Sequence, residues 1–144
     1  MFSKSCEYGI RATVMIAQHS LNTERVSLKL IAKEIASPEP FTAKILQILS
    51  RNRIVASLKG PNGGFEMSES MLEKITLFHV VAAIDGEVMI HDCGLGLKVC
   101  NPKKPCPIHD QFMGIRTNLT DMLKETSIRD LALGLKDGST FLKD

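Results

Sequence analysis

The chain has 144 residues, of which 44% are apolar and 24% charged, with a formal net charge of +2. This is the composition of a globular protein that can build its own core, in one domain or a small domain with an appendage. No secretory pattern opens the chain, and its longest apolar-rich run without charge, residues 75–84, is too short to span a bilayer. A cytoplasmic protein with no membrane role is expected, and there clustered cysteines point to metal or redox chemistry rather than to disulfide staples.

The charge is unevenly placed. Residues 1–66 carry a net +4 and residues 67–144 a net −2, and residues 40–60 hold four basic side chains and no acid. A local cationic excess suits a polyanion, although a solvated helix face can have the same composition.

In chain order, residues 5–20 read as a helix capped by Ser5, with Ile10, Val14, Ala17 and Leu21 at helical spacing. Ser27 caps a second helix whose apolar face is Leu28, Ile31, Ala32 and Ile35. Pro38 and Pro40 mark a turn into a third helix, from about residue 40 to 52, with Phe41, Ile45, Ile48 and Leu49 turned inward. Its opposite face carries Thr42, Ala43, Lys44, Gln47, Ser50 and Arg51. That arrangement is a helix-turn-helix, in which Lys44 and Gln47 suit base edges and Thr42 and Arg51 suit phosphate. Strand-like residues 54–59, a turn over 60–64 and a return through Phe65 form a β-hairpin, read as a wing with Lys59 and Asn62 near its tip.

Residues 68–74 read as polar linker. Thr76 then caps a fourth helix, ended by Asp85 and Gly86. Pro107 opens a long helix to about residue 125, with Ile108, Phe112, Ile115, Leu119 and Met122 spaced as a heptad seam. Such a seam suits an antiparallel or crossed dimer helix, because a winged helix needs a twofold mate to read a palindrome. Ser127 caps a short last helix through Leu133, and the tail after Gly134 reads as loose.

Cys93, Cys100 and Cys106 fall within fourteen residues, among glycines, prolines and three lysines, and His109 follows. Thiolates are the soft ligands that iron–sulfur clusters and zinc prefer, and nearby lysines favour the ionised thiol. Gaps of six and five residues between the cysteines lack the close pair usual in zinc ribbons, yet a structural zinc site of three cysteines and one histidine remains an alternative reading. The residues show no nucleophile–base–orienter set and no paired carboxylates, and the glycine-rich turn at 60–64 lacks the lysine–serine ending of a phosphate loop, so no enzyme is expected.

Nearly the whole chain resembles the Rrf-type family of bacterial winged-helix regulators, which includes IscR, NsrR and CymR. The resemblance is carried by Glu7-Tyr8-Gly9-Ile10-Arg11-Ala12, by Pro40-Phe41-Thr42-Ala43-Lys44-Ile45-Leu46, by Ser57-Leu58-Lys59-Gly60-Pro61-Asn62-Gly63-Gly64-Phe65, and by the cysteine loop. It implies a mainly α fold with a small β-hairpin, a winged helix-turn-helix plus a long C-terminal dimerisation helix. The expected parts are residues 1–67 as DNA-binding part, 68–90 as connecting helix, 91–106 as cluster loop, and 107–144 as dimerisation helix and tail. It implies a homodimer on palindromic promoter DNA. It also implies an iron–sulfur cluster, [2Fe-2S] ahead of [4Fe-4S], held by Cys93, Cys100 and Cys106. The fourth ligand is His109 in the IscR-like pattern, or Glu7 of the other subunit in the NsrR-like pattern. Some family members lack a cluster and answer to another signal. The chain departs from the pattern in its longer first cysteine gap, in Arg53 where glycine is frequent, and in Ala43 where IscR has a glutamate that takes part in operator choice.

Overall fold

The computed structural model describes residues 1–143. It contains α1 (Lys4–Ser20), α2 (Leu28–Glu34), α3 (Glu39–Arg51), β1 (Ala56–Leu58), β2 (Gly64–Glu66), α4 (Glu69–Lys74), α5 (Leu77–Asp85), α6 (Val88–His91), α7 (His109–Glu125) and α8 (Ile128–Lys136). No described helix is long and apolar enough to cross a membrane. The fold is mainly helical with one two-stranded antiparallel sheet, as the sequence implied.

Helix α1 runs through the centre. Its middle, from Ala12 to Ala17, is buried, and it packs against α2, α3, α5, α8 and β2. A helix apolar on most faces lowers its free energy only by being surrounded. Gly9 lets α5 approach closely, for a β-carbon there would collide with Ile84. The N-cap of α1 is Ser3, not Ser5: Ser3 has extended backbone angles and its Oγ accepts from Cys6 N at 3.1 Å, whereas Ser5 already lies inside the first turn. Ser3 is also pinned to Asp85, its N–H donating to Oδ2 at 2.9 Å.

The helix-turn-helix and wing form where expected. Ser27 Oγ caps α2 by accepting from Leu30 N at 3.2 Å, and Ile31, Ile35, Ile45, Leu46 and Leu49 close the core between α2 and α3. Ala56, Ser57 and Leu58 pair with Glu66, Phe65 and Gly64. Val26 adds a bridge to the hairpin, exchanging both backbone hydrogen bonds with Phe65 at 3.0 and 2.8 Å, which fastens the wing to the body. Gly64 makes that closeness possible: its φ is +141°, and a β-carbon would sit 2.7 Å from Val26 O.

Three expectations need correction. Residues 68–74 are not linker: Ser68 Oγ caps the short helix α4, which buries Leu72. The last helix continues past Leu133 to Lys136. The tail is not loose: Ser139 N and Thr140 N donate to Gly134 O, and Lys143 pairs with Glu34 of α2. Two junctions invisible in sequence hold the C-terminal part. Leu77 N donates to Thr126 O at 2.9 Å and Ile128 N to Ile75 O at 3.0 Å, and Leu123 is fully buried on α7.

Helices α2 and α3 end alike. Ser37 N reaches Ala32 O and Ala36 N reaches Lys33 O; Ile54 N reaches Leu49 O and Arg53 N reaches Ser50 O. This is the Schellman ending, with its left-handed residue at Ala36 (φ +52°) and Arg53 (φ +56°). A side chain costs about 1 kcal/mol or more in that conformation. Arg53→Gly is expected to raise the unfolding free energy by about 0.5–1 kcal/mol, read as a higher urea midpoint at unchanged slope. A lower midpoint would show that the arginine makes interactions that outweigh its strain.

Candidate functional site

Helix α3 and the wing face one another across an open groove lined by Ala43, Lys44, Gln47, Ser50, Ser57, Lys59 and Phe65. Lys44, Gln47 and Lys59 are exposed there, so three of the expected readers share one surface. Arg51, in the last turn of α3, and Asn62, at the wing tip, are exposed outside that lining. Ser57 is a groove residue that the alternation of β1 alone did not single out. Arg25 is another residue missed from sequence: it donates to Glu66 Oε2 at 3.0 Å and to Asn62 O at 3.1 Å, bracing the wing.

Thr42 is a correction. The helical pattern puts it among the phosphate-binding residues, but it is fully buried, and its Oγ1 donates to Pro38 O at 2.9 Å. Helix α3 begins one residue earlier than expected, and Thr42 falls in its first turn, where its hydroxyl back-bonds to the N-cap carbonyl.

The second cluster of functional side chains lies between α6 and the start of α7. Gly96 N donates to Cys93 O at 2.9 Å, closing a tight turn, and His109 N donates to Cys106 O at 3.0 Å where α7 begins. All four cysteines are free thiols. Cys93 is 9% exposed. Backbone amides of Leu95 and Leu97, and behind them the Cys106 side chain and the charge of Arg116, hold its thiol below the usual range against the opposing effect of burial. Cys100 Sγ lies 3.6 Å from His109 Nδ1. The structure thus brings Cys100 and His109 into contact and sets Cys106 near enough to Cys93 to act on its thiol. Among the described residues, no three histidine, cysteine or acidic side chains converge tightly enough to hold a metal ion. Glu7 takes part in neither approach: it is exposed on α1 and pairs with Lys4 at 3.1 Å. Three loop thiols, one held below its usual range, together with an imidazole in contact with a second, are donor chemistry that fits a thiolate-held centre.

Cys6 stands apart. It is fully buried in the first turn of α1, and burial, reinforced by nearby Asp85, pushes its thiol up to about 12. His79 is no ligand candidate either, since its Nδ1 accepts from Thr76 N at 2.9 Å and so caps α5.

On α7 the heptad seam divides. Phe112 and Leu119 are half-buried on the chain's own body, while Ile108, Met122 and especially Ile115, 62% exposed, face outward. The loop also exposes Leu95, Leu97 and Val99.

A winged helix-turn-helix with a basic reading groove and a cysteine loop set before a long helix defines a class of DNA-binding regulator. The chain matches the Rrf2 family of iron-dependent transcriptional regulators over residues 2–133 and belongs to it. It is 31% identical over 134 residues to a protein of Aquifex aeolicus named as an HTH-type transcriptional regulator, spanning 91% of this chain and 90% of that one. It is 27% identical over 124 residues to the HTH-type transcriptional regulator IscR of Pectobacterium carotovorum, covering 86% of this chain and 74% of the relative. Among solved structures, CymR, the global cysteine regulator of B. subtilis, superposes with a TM-score of 0.75 at 22% identity, over 92% of this chain and 96% of that one. The IscR of T. potens does so with a TM-score of 0.75 at 19% identity, over 99% and 93%. The chain is therefore an HTH-type transcriptional regulator, and its relatives are regulators rather than enzymes.

Two outcomes check this geometry. Thr42→Val is expected to cost about 1 kcal/mol of stability through the missing buried hydrogen bond, while leaving the salt dependence of DNA binding unchanged. A shallower salt slope would return Thr42 to the phosphate-binding set. In metal-free protein, a maleimide at neutral pH is expected to label Cys100 and Cys106 in the native state and Cys6 only after unfolding, as read by peptide mass. Native labelling of Cys6 at a comparable rate would contradict its burial.

Proposed function

We propose that the chain acts as a homodimer on palindromic promoter DNA, and that an iron–sulfur cluster held by Cys93, Cys100 and Cys106 sets its affinity for that DNA. The observation that supports the cluster reading is the 3.6 Å contact of Cys100 Sγ with His109 Nδ1 where α7 begins, with Cys106 acting on the nearby Cys93 thiol. His109 is favoured as fourth ligand over Glu7 because it already lies against a loop thiol, and [2Fe-2S] ahead of [4Fe-4S] is carried over from the family resemblance. When bound, the cluster supplies an oxidant-sensitive cross-link between loop and helix. Free thiols of this kind suit the cytoplasm.

The chain's own residues do the rest. Lys44 and Gln47 enter the major groove, Arg51 reaches phosphate, and Lys59 and Asn62 meet the flanking backbone or minor groove. The outward strip of Ile108, Ile115 and Met122 packs against a second copy. Two recognition helices on one DNA face must sit about 34 Å apart, so a seam that moves with the loop changes affinity. On this reading residues 1–67 read DNA, 68–90 connect, 91–106 sense, and 107–144 dimerise.

The test is anaerobic purification, an absorption spectrum, and iron and acid-labile sulfide counts. Visible charge-transfer bands with matched iron and sulfide are expected. A colourless protein with stoichiometric zinc, or one without metal after attempted reconstitution, would overturn the cluster assignment. For the reader, Arg51→Ala or Lys59→Ala is expected to flatten the dependence of log affinity on log salt by about 0.9 for each phosphate no longer neutralised. Unchanged slopes for both would remove the end of α3 and the wing from the phosphate contacts.

A further inference from the structure

Arg116 is the one charged side chain among the described residues that is nine-tenths buried, at 7% exposure. Its Nε and Nη2 have no hydrogen-bond partner, and its Nη1 reaches only Met113 Sδ at 3.7 Å. No described carboxylate pairs with it. A guanidinium does not shed its proton, so a permanent cation is held out of water with nothing to balance it. The guanidinium carbon also lies 5.1 Å from the Phe112 ring. The cysteine loop packs on that same ring: a β-carbon at Gly94, next to Cys93, would lie 2.9 Å from three ring carbons. Gly94, Phe112 and Arg116 therefore join the loop to α7, with the cation close enough for its charge to act on Cys93.

We propose that Arg116 is the built-in counter-charge of the thiolate centre, a positioning residue that makes the loop's packed arrangement favourable only when an anionic cluster sits at Cys93 and Cys106. This rests on the iron–sulfur reading above. Three thiolates outweigh the positive charge of an oxidised cluster core, and reduction adds an electron, so the centre is anionic in both states. With the cluster in place the buried cation is compensated. Without it, Arg116 disfavours the packed loop, and the exposed apolar side chains of α7 beside it lose their fixed arrangement. Cluster occupancy and the dimer seam are thereby linked through one side chain.

The experiment compares wild type, Arg116→Met and Arg116→Lys as full-length proteins, metal-free and anaerobically reconstituted. Two quantities are read: the thermal midpoint of the metal-free form, and the midpoint potential from a redox titration of the visible band. Methionine fills similar space without charge, so metal-free Arg116→Met is expected to melt at or above the wild-type temperature. Losing a unit charge beside the centre is expected to make reduction about tenfold less favourable, about 59 mV lower for one electron. Arg116→Lys is expected to recover most of that shift. Equal potentials in loaded wild type and Arg116→Met would overturn the inference while leaving the cluster assignment standing. So would a metal-free Arg116→Met that melts well below wild type, or one that loses dimerisation with its potential unchanged, the sign of a carboxylate from a second copy. A wild type that takes up no cluster would overturn the cluster assignment, and this inference with it.

Discussion

Burial of α1 on most of its faces is the constraint on which the other elements depend. Residues from Ala12 to Ala17 can leave water only if α3, α5 and α8 all stay in place. Each fully buried branched side chain around it, such as Ile16, Ile45, Leu49 or Ile128, contributes about 1.5–3 kcal/mol. Helix α3, the proposed reading helix, is thus seated on the same helix that receives the C-terminal part of the chain. A movement at one side of α1 cannot be absorbed by a fluid core, because close-packed interiors transmit displacement.

The cysteine loop is attached to this frame at both ends. Upstream, Asp85 at the end of α5 is tied to Ser3 at the start of α1, a few residues before the loop begins. Downstream, the loop runs directly into α7, which is anchored by fully buried Leu123, by Lys124 over the Phe78 ring at 5.1 Å, and by the backbone bridge between Thr76 and Ser127. The first half of α7 lacks such anchors. There Ile108, Met113 and Ile115 are exposed, and Phe112 with Arg116 meets the loop. The part of the proposed dimer seam nearest the cysteines is accordingly the part whose position the chain's own core fixes least.

Much of this was legible in the sequence because it is local. Ser27 and Ser127 cap helices through their own next turns, Gly86 stops α5, and the residues around the turn at 60–64 fold the wing. What escaped depends on distant partners. Ser5 and Ser3 are both plausible caps, and the choice went to the residue that Asp85 also holds. Thr42 sits on the polar side of the helical pattern, but its first-turn hydroxyl turns back to Pro38. Leu123 and Arg116 lie off the heptad seam, so periodicity assigned them no role, although they face inward. An arginine is the last residue to be placed in a core from composition. The approach of Cys106 to Cys93, and the contact of Cys100 with His109, likewise depend on how the loop folds back.

The central claim is that the state of the cysteine loop sets the affinity of the reading groove. Its most direct measurement is the affinity for one target duplex of the reconstituted protein and of the same protein stripped of metal, at one fixed salt concentration. The account predicts a difference of tenfold or more between the two forms, abolished when Cys93, Cys100 and Cys106 are replaced by alanine. Equal affinity in loaded, stripped and cysteine-free protein would contradict it, leaving a DNA-binding regulator whose loop does not control the reader.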